Sequence, residues 1–151
     1  MAYSKNSLFS DHKPLAIGDK LLIYTDGGSR GNPGPSAIGY VVGDKGYGEY
    51  IGVTTNNVAE YKAISASLRK AKLLLGKTKA KQTDIEVRMD SQLACRQLSG
   101  IYRIENVALQ PIFFEVWNLK FDFKSVRFVH VPREENTKAD AMVNKALDER
   151  G

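Results

Sequence analysis

A chain of 151 residues, 42% hydrophobic and 26% charged, suits one globular domain that buries roughly 70% of its unfolded surface, and its composition excludes disorder and fibrous architecture. Twenty-two Lys and Arg against 17 Asp and Glu leave a net charge of +5, which suits a polyanion partner and is also a charge that many soluble proteins carry for solubility. The single cysteine, Cys95, excludes an internal disulfide, Pro14 to Ile17 is too short for a secretory signal, and no run approaches the ~18 apolar residues of a membrane span, so a cytoplasmic protein with no membrane partner is expected.

Residues 1–19 mix Ser, Lys, Asn, Asp and Pro without periodicity and are expected to form an extension, flexible or draped on a domain spanning 20–151. Lys20 to Thr25 is short, apolar and bounded by Asp26-Gly27-Gly28, which predicts a buried strand with Asp26 at its carboxyl end. Ala37 to Val42 and Tyr47 to Val53 flank Gly43-Asp44-Lys45-Gly46 and predict an antiparallel hairpin. From Val58 to Leu75 the period changes. Tyr61, Ile64, Leu68, Ala71 and Leu75 recur at helical spacing and Gly76 follows as a stop, which predicts a helix.

Asp84 to Met89 alternates about Ile85 and Val87 and predicts a strand that again ends at an acid, Asp90. Ser91 to Leu98 predicts a short helix closed by Gly100, in which Cys95 is a small buried hydrophobe. Asn106 fits the N-cap of a helix running to about residue 118, with Pro111 in its first turns. Ser125 to Val131 predicts the fifth strand and Glu135 to Leu147 a closing helix. This order predicts an α/β fold whose five-stranded mixed sheet, three antiparallel strands and then two parallel ones, is flanked by helices. A right-handed crossover would set the fourth strand beside the first, so that Asp26 and Asp90 meet beyond their carboxyl ends.

Four acids stand out by their contexts: Asp26 before Gly31-Asn32-Pro33-Gly34, Glu60 after Thr55-Asn56-Asn57, Asp90 before Ser91-Gln92, and Asp140 after Asn136. Singly, each reads as a turn, cap or solvated helix residue. Gathered, unpaired carboxylates would raise one another's pKa unless cations occupied the cluster, and Mg²⁺ prefers such oxygen donors. Two such ions can activate a water and stabilise the leaving oxygen of a phosphodiester.

Read together, in this order, the four contexts resemble the type 1 ribonuclease H family over residues 21–147. The resemblance implies a ribonuclease H-like fold and a metal-dependent endonuclease that cuts the RNA strand of an RNA/DNA hybrid, leaving 5′-phosphate and 3′-hydroxyl ends. It implies two Mg²⁺ ions, with Mn²⁺ as an alternative, Asp26 bridging both, Glu60 and Asp90 on one, and Asp140 on the other. Asn32, Asn56, Asn57 and Gln92 match positions that read the RNA 2′-hydroxyl, although Asn32 also suits a turn and Asn56 or Asn57 a helix cap. Thr55 and Asn106 match positions that hold a phosphate of the DNA strand, and Ser29 offers at most a backbone contact to RNA.

His130 stands six residues before Asn136, where many members carry a histidine that aids proton transfer or product release. Here Val131-Pro132-Arg133 follows it in place of a glycine-rich loop, so a structural role competes, with Arg133 or Glu134 as substitutes. The basic, Trp-containing handle of some members is missing, since only Ile101 to Glu105 separates Gly100 from Asn106. Grip on the hybrid is then expected from scattered cations or from the basic stretch Arg69 to Lys81, which otherwise reads as a solvated face and loop. A monomeric enzyme is the leading expectation. A binding module that cuts poorly is the alternative, and a recombinase or transposase core suits the Asn and Gln contexts less well.

Overall fold

The computed structural model describes residues 20–150, so the expected extension over 1–19 lies outside the described residues. Five strands form one sheet in the order β3-β2-β1-β4-β5. β1 (Lys20–Ser29), β2 (Gly34–Val42) and β3 (Lys45–Thr54) run antiparallel, while β4 (Asp84–Met89) and β5 (Ser125–His130) lie parallel to β1. This is the expected mixed sheet, with β4 beside β1.

β1 alternates buried Leu21, Ile23 and Thr25 with half-buried Leu22 and Tyr24, so each face is set by the pleat. The predicted end at Thr25 is corrected: the strand continues through Asp26, Gly27 and Gly28, which pair with Gly39, Ile38 and Ala37 of β2. Gly27 serves close approach, not a turn, whereas a Cβ on Gly28 would make only ordinary contact, 3.7 Å from Val143. A Cβ on Gly27 would lie 2.3 Å from the carbonyl carbon of Ala59, which no side chain could tolerate. The turn proper falls at residues 30–33, and β2 consequently begins at Gly34 and not at Ala37. β3 extends two residues before the predicted Tyr47 and one beyond Val53, with a register shift opposite Ser36 and Ala37 where Gly52 adopts φ +87°.

The first helix, α1 (Asn56–Leu75), starts two residues earlier than its hydrophobic period suggested, because the Thr55 hydroxyl caps it by accepting from the Val58 N–H at 3.3 Å. A short α2 (Lys77–Lys81) follows Gly76 where only a loop was expected, since five residues carry too little apolar period to announce a helix. α3 (Gln92–Leu98) has Ser91 as its N-cap instead of its first residue, and Cys95 is buried in it as expected. Asn106 caps a 3-10 turn (Val107–Leu109), not the helix itself; α4 (Gln110–Lys120) begins next to Pro111, whose missing N–H is harmless only in a first turn. β5 stops at His130, and a second 3-10 turn (Arg133–Glu135) delays α5 (Thr137–Asp148) by two residues.

α1, α3 and α4 cover one face of the sheet around Tyr61, Ile64, Leu68, Ile23, Val87 and Val116, all essentially inaccessible. α5 covers the other face over β1, β2 and β3. Its approach is close because Gly39 has no side chain: a Cβ there would lie 2.4 Å from the Ala139 carbonyl oxygen. No helix among the described residues is long and apolar enough to cross a membrane.

Candidate active site

Parallel pairing of β1 with β4 ends at Thr25 and Met89, so the next residues, Asp26 and Asp90, emerge side by side at the carboxyl edge of the sheet. Glu60 comes from the first turns of α1, which packs against Gly27. Asp140 sits in the first turn of α5, and that helix is pinned to β1 by buried Asn136, whose Nδ2 donates to the Thr25 carbonyl at 2.9 Å. Asn136 thus joins the strand carrying Asp26 to the helix carrying Asp140. All four acids line one cleft of about 470 Å³.

The charge state follows from that crowding. Asp26 is pushed up from 3.8 to about 8, first by burial, then by the charge of Asp90, a hydrogen bond with Asp140 and the charges of Asp140 and Glu60. Glu60 is pushed up to about 7, chiefly by burial; a hydrogen bond from Ser91 opposes this, Asp90 adds to it, and Arg133 offsets part of it. Ser91 therefore serves twice, since its Oγ also caps α3 by accepting from the Ala94 N–H at 3.1 Å.

The donor set fits a hard divalent cation: four carboxylates, oxygen only, where burial and mutual repulsion push Asp26 and Glu60 above the usual carboxylate range. Among the described residues no three acidic, imidazole or thiol groups stand in ready-made coordinating geometry. The fit accordingly rests on donor chemistry and charge, and the Asp26–Asp140 hydrogen bond is the contact a cation would replace.

Around the acids, Asn32 Oδ1 accepts from the Asn56 N–H at 3.0 Å and Asn56 Oδ1 accepts from the Ser29 N–H at 2.9 Å. These bonds tie the β1–β2 turn to the start of α1. Each oxygen holds one backbone N–H, and the amide NH₂ groups remain as donors for a ligand. Asn56 and Asn57 line the cleft, whereas Gln92 is exposed in the first turn of α3 and is not part of its wall. Thr55 is the α1 cap, and Asn106 belongs to a separate shallow groove with Gln97 and Tyr102, where its Oδ1 accepts from the Ala108 N–H at 2.9 Å.

His130 is exposed at the end of β5 beside Met89 and does not line the cleft; Arg133, three residues on, does. The basic stretch is more engaged than a solvated face would be. Arg69 pairs with Glu115, Lys72 with Asp122 at 3.2 Å, and Lys81 Nζ donates to the Phe121 carbonyl at 3.0 Å, so these cations seam α1 and α2 to α4. Two further polar residues reach the cleft. Asn144 lies one helical turn after Asp140 and donates to its carboxylate at 3.3 Å, an i+4 spacing that could have suggested it, and Arg30 reaches the cleft only through the turn that follows β1.

A mixed sheet of this order, with carboxylates delivered by β1, α1, β4 and α5 to one edge, defines a ribonuclease H-like domain. The profile of the family described as "Reverse transcriptase-like" matches residues 24–146. Ribonuclease HI of Halobacterium salinarum is 41% identical over 138 residues, 87% of this chain and 66% of that protein. The Bifunctional protein Rv2228c of Mycobacterium tuberculosis is 38% identical over 136 residues, 85% of this chain and 36% of that protein. The chain thus spans under two thirds of the first relative's length and about a third of the second's. LC11-RNase H1, isolated from compost by a metagenomic approach, superposes with a TM-score of 0.81 at 42% identity, covering 87% of this chain and 98% of its own. Its complex with an RNA/DNA hybrid matches with the same score and identity over 86% and 98%. The chain belongs to the type 1 ribonuclease H family.

Proposed function

We propose that this protein is a metal-dependent endoribonuclease that hydrolyses the RNA strand of RNA/DNA hybrids, leaving 5′-phosphate and 3′-hydroxyl ends. The observation that carries the proposal is the convergence of Asp26, Glu60, Asp90 and Asp140, from four separate elements, on one cleft whose carboxyls are short of positive charge. The hybrid-bound relative of the same fold supports the substrate class.

Asp26 would bridge two Mg²⁺ or Mn²⁺ ions, with Glu60 and Asp90 on one and Asp140 on the other. When bound, such ions lower the pKa of a water and offset charge on the leaving 3′ oxygen. The chain's own residues do the rest. Asn136 and the Gly27 contact hold β1, α1 and α5 in register, so the acids keep their positions without substrate. Asn32, Asn56, Asn57 and Gln92 present amides to the shallow minor groove and its 2′-hydroxyls, while Thr55 and Asn106 take a phosphate of the DNA strand. Arg133, on the cleft wall, suits the balancing of charge beside Glu60 better than the more remote His130 does.

The test incubates the protein with labelled RNA/DNA, RNA/RNA and DNA/DNA duplexes in Mg²⁺, Mn²⁺ or EDTA. Cutting of the hybrid that requires the metal and is lost in Asp26→Asn is expected. Cutting that survives EDTA would refute the metal chemistry, and tight hybrid binding with no cutting would make the protein a binding module.

A further inference from the structure

The cleft does not end at Asp140. It continues along α5, past Val143 and Leu147, to Arg30 in the turn after β1. Among the described residues, Arg30 and Arg133 are the two cationic side chains on its wall, and they serve different neighbours. Arg133 acts on Glu60, whereas Arg30 Nη2 stands 2.8 Å from Asp148 Oδ1 near the end of α5. Three residues of β1 lie between Asp26 and Arg30, and the four extended steps span roughly 13 Å, which puts Arg30 beyond the reacting phosphate but within reach of a neighbouring one.

A purely structural reading of the Arg30–Asp148 pair is weak on two grounds. The side chains are 45% and 66% exposed, and pairs this open to water contribute little to stability. The turn is held by its main chain in any case, because the Arg30 N–H donates to the Pro35 carbonyl at 2.8 Å and needs nothing from the guanidinium. What remains is a planar donor fork, suited to a phosphate, at the end of a cleft whose other end is acidic.

We propose that Arg30 is a phosphate ligand for the RNA strand, parked on Asp148 in the free protein and transferred to a phosphate flanking the scissile one when the hybrid binds. Asp148 then acts as an internal competitor for Arg30. This rests on the hybrid-cleaving function proposed above and adds to it a binding residue and the group that restrains it. In a chain lacking the basic handle, such a contact supplies part of the missing grip.

The two partners have opposite signs in this scheme, which makes it testable by steady-state cleavage of a labelled hybrid at several salt concentrations, with melting temperatures in parallel. Arg30→Ala is expected to raise KM about five- to tenfold with kcat within about twofold, and to reduce the salt slope by about one. Arg30→Lys should recover part of the loss. Asp148→Asn, which frees Arg30, should lower KM about two- to threefold at low salt, and the double variant should behave as Arg30→Ala alone. If both single variants raise KM together with a fall in melting temperature, the pair is a brace and the inference is wrong. Unchanged KM in both, with wild type cutting the hybrid normally, would also overturn it. A wild-type protein that neither binds nor cuts the hybrid would instead remove the proposed function, and this inference with it.

Discussion

Replacing Asp26 by Asn should stabilise the metal-free protein while abolishing its activity. Folding moves the Asp26 carboxyl from 3.8 to about 8, because burial and three neighbouring acids disfavour its charge. A group whose folded pKa is raised contributes stability that is complete below its unfolded pKa and lost as pH climbs toward the folded one, so wild type should weaken between pH 4 and pH 8. At pH 7 the interval from 3.8, at 1.4 kcal/mol per pH unit, sets a ceiling of about 4 kcal/mol, and water entering the open cleft brings the expected gain in the variant to about 2 kcal/mol. Asn keeps the shape and can still donate to Asp140, so no cavity offsets the gain. Urea unfolding in EDTA at pH 5, 7 and 8 measures this, with an unchanged m-value expected and the advantage of the variant reduced to roughly 40% of its pH 7 value at pH 5. In excess Mg²⁺ the order should reverse, since only wild type gains binding energy from the ion. A variant no more stable than wild type at pH 7 in EDTA, with a flat wild-type profile from pH 4 to 8, would refute the account of the cleft.

Gly27→Ala forces a Cβ to 2.3 Å from the Ala59 backbone and should cost about 3 kcal/mol or more, read as a lower urea midpoint; an unaltered midpoint would mean that α1 can retreat from β1. His130→Ala should change kcat by less than about threefold, because the ring is exposed and off the cleft wall, whereas Arg133→Ala should lower it about tenfold or more; the reverse ranking would restore His130 as a catalytic group. Asn136→Ala removes the bond to the Thr25 carbonyl and should cost about 1–3 kcal/mol. The same change should raise the Mg²⁺ concentration needed for half-maximal cleavage, and an unshifted midpoint would show that α5 is positioned without it.

Much of the fold was legible because it depends on near neighbours. Helical spacing in α1, alternation in β4 and stop signals such as Gly76 and Gly100 are local, and each was read in its proper place. The errors fell where a local signal had a distant cause. Gly27-Gly28 looked like a turn because glycine usually means one, yet both continue β1, and Gly27 lets α1 press against it. Asn106 did cap a helical turn, but the α-helix proper begins four residues later, at Gln110 beside Pro111.

By itself the sequence determined the family and singled out four acids, since the order of the short contexts around Asp26, Glu60, Asp90 and Asp140 is a property of the chain alone. Only the tertiary structure decided what state those acids are in and who stands beside them. The raised pKa of Asp26, the place of Arg133 in the cleft and of His130 outside it, and the Arg30–Asp148 pair all arise between elements far apart in the chain; the Asn136–Thr25 bond that aligns two of the acids spans 111 residues. Burial and Coulomb interaction depend on distance through space, which local patterns do not encode.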